Sequence, residues 1–121
     1  MNSMNENAVA IGHAYYNAMR EKNIAAMEQY LHDDINLLGP LGETKGKKAV
    51  IEAAKRLLPS LKNITIRAQY GSIDQAVLVY DMDLGESIGN LRAAALITLK
   101  DGLIISNELF FDAQPFSMKR S

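Results

Sequence analysis

The chain predicts an α+β domain, three helices followed by an antiparallel sheet. Apolar spacing follows a helical repeat in the first half and strict alternation in the second, the two periods that separate amphipathic helices from half-buried strands. Asp101-Gly102 stands between two alternating runs as a hairpin signal. A length of 121 residues, 48% apolar and 22% charged, suits a single domain, residues 1-121, with ends expected to fray at about 1-5 and 117-121.

From Glu6 to Lys22, Val9, Gly12, Tyr16 and Met19, together with Ala8, Ile11, Tyr15 and Ala18, form a wide apolar helical face, so this helix is expected to be largely covered. Asn23 is suited to cap a second helix, whose buried stripe is Ile24, Met27 and Leu31 and whose end is Asp33-Asp34. A short extended piece, Asn36-Leu37-Leu38, leads into Gly39-Pro40-Leu41-Gly42, a turn in which proline fixes φ and glycine tolerates positive φ. The third helix runs from about Lys47, with Val50, Ile51, Ala54, Leu57 and Leu58 on one face, and Pro59 closes it.

Alternation then takes over. Ile64, Ile66, Ala68 and Tyr70 share one strand parity, as do Ala76, Leu78, Tyr80, Met82 and Leu84. Leu91 to Lys100 and Leu103 to Asp112 are the last two strands. Gly71-Ser72-Ile73-Asp74 and the stretch from Gly85 to Asn90 are the connections.

Thirteen Lys and Arg against 14 Asp and Glu leave a net charge of -1, too even for the positive field that a phosphate backbone demands, so nucleic acid is not an expected partner. No cysteine means no disulfide, thiolate metal site or thiol nucleophile, and a cytoplasmic setting is the default expectation. The polar start, Met1 to Asn7, has no apolar signal-peptide stretch, and no segment reaches about 18 apolar residues, so no membrane association is expected.

The order of these elements resembles the nuclear-transport-factor-2-like superfamily, in its SnoaL-like, ketosteroid-isomerase-like branch. Asn23 to Met27 followed by Tyr30-Leu31-His32-Asp33-Asp34 looks like that family's second helix and its ending. Pro40-Leu41-Gly42, then Gly46 to Val50, looks like its turn and third-helix start, and Leu109-Phe110-Phe111-Asp112 like the close of its last strand. The likeness runs from about Asn7 to Phe116. It implies a cone-shaped fold in which three N-terminal helices and a curved, mainly antiparallel sheet enclose an apolar pocket. It does not imply one activity, because the fold hosts several.

In the isomerase branch a helix tyrosine, an aspartate base and a protonated aspartate do the chemistry, the last kept neutral by its apolar site. The resemblance puts Tyr15 at the tyrosine position, Gly39 at the base and Ala95 near the second aspartate. Tyr15 is then either a hydrogen-bond donor in a site or a core residue with its hydroxyl at a polar edge. Tyr80 poses the same choice. Asp112 matches a proton-transfer residue of the cyclase branch, yet it lies on the opposite parity from Phe111, which favours a rim or turn-stabilising role unless a bulge turns it inward.

Asp81 and Asp83, about 7 Å apart on one strand face, are too few for a metal and read as a solvated face. His13 and His32 belong to no metal-binding spacing. The methionines read as core filler. Ala93-Ala94-Ala95 in mid-strand leaves volume for either a close helix or a ligand.

Tyr15, Met19, Tyr80, Ala95, Asn107, Leu109 and Phe111 are expected to line one cavity for a small apolar ligand, with Tyr15 and Asp112 as the candidate catalytic groups and no metal or cofactor. Two functions remain: a small-molecule pocket protein, with isomerase, cyclase or lyase chemistry open, or a non-catalytic binding or dimerisation module. Apolar residues on both strand parities, as in Val77 and Val79 against Leu78 and Tyr80, point to a homodimer through the sheet.

Overall fold

The computed structural model describes residues 7–119, with the backbone alone for 117–119. The expected fraying at 1-5 and at the last two residues lies outside the described residues. Helix α1 (Asn7–Arg20) and the short α2 (Ile24–Gln29) open the fold. Strands β1 (Leu31–Gly39) and β2 (Gly42–Lys45) form a hairpin, and α3 (Lys47–Leu57) ends in a 3-10 turn, Leu58–Ser60, that contains Pro59. Strands β3 (Asn63–Gly71) and β4 (Gln75–Asp83), the one-turn α4 (Gly85–Ile88), β5 (Asn90–Lys100), β6 (Leu103–Phe111) and α5 (Gln114–Lys119) complete it.

The six strands form one sheet in the order β2-β1-β6-β5-β4-β3. All neighbours are antiparallel except β1 and β6, which run parallel. Helices α1 and α3 cover one face. At Gly12 the α1 backbone comes so close that a Cβ would stand 2.9 Å from side-chain carbons of Leu78 and Ile97. Beneath lie Met27, Leu31, Ile35, Leu61, Leu78, Ile97 and Ile104, the largest fully buried side chains. Among the described residues no helix is long and apolar enough to cross a membrane.

Several local expectations change. Helix α2 stops at Gln29, and Leu31, Asp33 and Asp34 belong to β1, because Leu31 pairs with Ile104 and the Tyr30 carbonyl accepts from the Ile104 N–H at 2.8 Å. This long-range pairing overrides a local helical spacing. Asn36-Leu37-Leu38 is the end of a nine-residue strand, and the Pro40-Leu41 turn carries the chain into the unanticipated β2. The turn α4 and the helix α5 were likewise unanticipated, and Ser117 to Lys119, expected to fray, lies within α5.

Two bulges reset strand parity. In β3, Ile66 pairs with Tyr80 but Ala68 pairs with Val79, leaving Arg67 as an extra residue. Ala68 and Tyr70 therefore join the outer face rather than that of Ile64, and Tyr70 is 70% exposed. In β6, Ile105 is the extra residue between the partners of Leu99 and Thr98, so Ile104 and Asn107 both face inward. Strand β6 ends at Phe111, which leaves Asp112 outside it.

The Asp101-Gly102 hairpin forms as expected, with φ values of 55° and 78°, the doubly positive conformation that a tight right-twisted hairpin needs.

Candidate functional site

Between the inner sheet face and α1, α3 and α5 lies a cavity of about 220 Å³. Tyr15, Tyr16 and Met19 of α1 form one wall, and Val50, Ala53, Ala54 and Leu57 of α3 a second. Leu37, Tyr80, Met82, Leu84, Leu91, Asn107, Leu109 and Phe111 supply the sheet side. Leu41 of the β1–β2 turn and Phe116 of α5 stand at its edge; Leu41 is 61% exposed, and Phe116 packs edge-on to Phe111 with ring centroids 5.7 Å apart.

No charged side chain lines this cavity among the described residues. Its polarity comes from three tyrosine hydroxyls and one amide. Asn107 Nδ2 donates to the Tyr16 hydroxyl at 3.1 Å, and the Tyr80 hydroxyl donates to it at 3.5 Å. The three aromatic rings stack in sequence, Tyr15 edge-on to Tyr16 at 5.3 Å and Tyr16 tilted on Tyr80 at 4.8 Å. Tyr15 makes no side-chain hydrogen bond among the described residues. Burial pushes all three phenols above their ordinary range. For Tyr15 the neighbouring Tyr16 adds to the effect, for Tyr16 the bonds from Tyr80 and Asn107 oppose it, and for Tyr80 the adjacent Tyr16 adds to it. All three are neutral donors at physiological pH.

Six of the seven residues expected around one cavity, Tyr15, Met19, Tyr80, Asn107, Leu109 and Phe111, stand at its wall. Ala95 does not. It is fully buried between its strand partners Leu78 and Leu109, on the sheet face where α1 closes at Gly12 on Leu78 and Ile97. Gly39 is not part of the lining, although it packs beside two residues that are: a Cβ there would meet Leu109 at 3.5 Å and Phe111 at 3.8 Å. Asp112 is exposed and away from the cavity. Its Oδ1 accepts from the Gln114 N–H at 3.0 Å, holding the turn into α5.

Sequence reasoning missed Tyr16 as the hub, although it shares the apolar α1 face with Tyr15. It also left out α3, although Val50, Ala54 and Leu57 share the apolar face read from its spacing, and Phe116, for which no local pattern gives a signal.

The other polar candidates serve as connectors. Asp81 meets Arg67 at 3.4 Å, and Asp83 accepts from the Gly85 N–H at 3.0 Å. His13 bonds Gln69 at 3.1 Å, and His32 Nδ1 accepts from the Asp34 N–H at 3.0 Å. Among the described residues no His, Asp or Glu cluster fits a metal ion.

A family profile described as a SnoaL-like domain matches residues 13–107, most of the chain. The protein belongs to the SnoaL-like family, on the nuclear-transport-factor-2-like fold. A Kribbella flavida DSM 17836 protein superposes with a TM-score of 0.88 at 23% identity, over 95% of this chain and 94% of its own. A nuclear-transport-factor-2-like protein of unknown function from Cytophaga hutchinsonii ATCC 33406 gives 0.81 at 19%, over 91% and 94%. A steroid delta-isomerase from Pseudomonas aeruginosa gives 0.77 at 18%, over 98% and 92%. At these identities the likeness is one of fold. None of the curated proteins matches the chain.

Proposed function

We propose that this protein binds a small, mostly apolar molecule in the cavity beneath α1 and α3 and does not carry out base-catalysed isomerisation there. The observation that carries this reading is the lining: apolar walls, neutral tyrosine and asparagine groups, and, among the described residues, no carboxylate or imidazole. Enolisation needs a base within hydrogen-bond reach of the abstracted proton and donors aimed at the developing oxyanion. Glycine stands at position 39, where the branch resemblance places the base, and alanine at position 95, near the second donor. Tyr15 remains as a donor without a proton acceptor beside it. Asp112, tied into the α5 turn, is directed to another task.

An absorbance assay on a β,γ-unsaturated ketosteroid tests the catalytic half of this proposal. The native protein is expected to give no turnover above buffer. Brisk turnover would contradict it, and loss of that turnover in Asp112→Asn would identify Asp112 as the base.

We also propose a homodimer through the outer sheet face. Two cross-strand rows, Tyr70–Val77–Leu96 and Ala68–Val79–Ala94–Phe110, present apolar groups outward, with Tyr70, Val77 and Phe110 exposed at 70%, 36% and 53%. Large apolar side chains exposed together on one sheet face support an interaction surface there. A closed two-fold pair would cover it on both copies at once.

A further inference from the structure

The hydrogen-bond inventory of the cavity does not close. Asn107 is 2% exposed, its Nδ2 is used on Tyr16, and its Oδ1 has no partner among the described residues. The Tyr16 oxygen accepts from Asn107 and bonds Tyr80. Whichever tyrosine donates in that pair, one hydroxyl proton is left without an acceptor. The wall thus holds one unused acceptor, Asn107 Oδ1, and one unused hydroxyl proton in the tyrosine pair bonded to the same amide, with the Tyr15 hydroxyl a further donor that has no side-chain partner among the described residues. Buried polar groups in native proteins are nearly always paired, because an orphaned one keeps the full cost of losing its water.

We propose that the ligand of this cavity is a compact, uncharged, mostly apolar alcohol whose hydroxyl donates to Asn107 Oδ1 and accepts from the tyrosine pair. This inference rests on the ligand-binding reading above. A hydroxyl is the small neutral group that gives and takes one hydrogen bond at the same point. A ketone satisfies only the tyrosine donor and sets its oxygen against Oδ1. A carboxylate meets the same oxygen and loses its hydration in a lining with no cationic side chain among the described residues.

The size fits a compact ring system: an apolar cavity of about 150 Å³ accepts benzene, and this one is about 220 Å³. Oδ1 is shut off from solvent, so the ligand must part the wall to reach it. Met19 and Met82, unbranched and adaptable, are the lining residues that shift at least cost.

Three molecules on one skeleton test this by calorimetry on the full chain: 2-decalol, 2-decalone and decalin-2-carboxylate. The native protein is expected to bind the alcohol about tenfold tighter than the ketone and the carboxylate not measurably. In Asn107→Leu the alcohol and ketone affinities should converge to within about twofold, the ketone losing nothing. Tyr16→Phe, which keeps the ring, should also shrink the preference, and it serves as the test if Asn107→Leu does not fold.

Equal affinities in the native protein, or a preference for the ketone, would overturn the inference while leaving a ligand-binding cavity in place. A ketone preference would mean that the Asn107 amide presents its NH₂ to the ligand. An alcohol preference undiminished in both variants would place recognition elsewhere and overturn it too. Binding of neither alcohol nor ketone would overturn the ligand-binding reading itself.

Discussion

Tyr15 and Tyr16 are adjacent and equally buried, but they carry different loads. The Tyr16 hydroxyl joins Asn107 and Tyr80, whereas Tyr15 bonds no side chain among the described residues. Tyr16→Phe should destabilise the fold by about 1–3 kcal/mol, because it strands two buried partners. Tyr15→Phe should cost under about 0.5 kcal/mol, since it strands none. Urea unfolding of the two variants checks this, and equal losses would contradict it.

Alkaline pH gives a second handle. The folded phenols of Tyr15, Tyr16 and Tyr80 are raised above the ordinary value of 10.0, so above that pH the unfolded chain releases protons that the folded one keeps. The stability they contribute is fully present below pH 10 and is lost as pH rises past it. The urea midpoint should therefore hold from pH 8 to 9.5 and fall by pH 11, and a flat midpoint would contradict the burial of this trio. That α1 carries a buried aromatic face was legible in its spacing. Which tyrosine is the hub was not, because a wide helical face does not rank neighbours and the decisive partner, Asn107, is 91 residues away.

Among the elements, α1 ends in a left-handed residue that is not glycine. Lys22 has φ 59°, with its N–H bonded to the Met19 carbonyl and that of Asn23 to the Ala18 carbonyl, the paired closure that usually recruits glycine. Lys22→Gly should raise stability by about 0.5–1 kcal/mol, relief of the left-handed strain outweighing the added chain entropy. An unchanged or lowered denaturation midpoint would contradict it. Strands β4, β5 and β6 were legible because alternation is a local property. Strand β1 was largely hidden, since its partner β6 lies some 70 residues on, and so was the Arg67 bulge that turns Tyr70 outward. Helix α5 had no local signal strong enough to register.

At the scale of the whole molecule, the two sheet faces have separate roles. The inner face and helices enclose the cavity, and the outer face presents Tyr70, Val77 and Phe110. Sedimentation velocity at micromolar concentration should show a dimer for the native chain and a monomer for Val77→Lys/Phe110→Lys; a native monomer would contradict the proposed pairing. The cavity itself is tested most directly by titrating 2-decalone into the native protein and into Ala53→Phe, a change that fills the space beside α3 without adding charge. Binding at one molecule per native chain, with a negative heat-capacity change from apolar burial and its loss in a folded Ala53→Phe, is the predicted result. No binding by the native protein, or equal binding by Ala53→Phe, would contradict the assignment of this cavity as the ligand site.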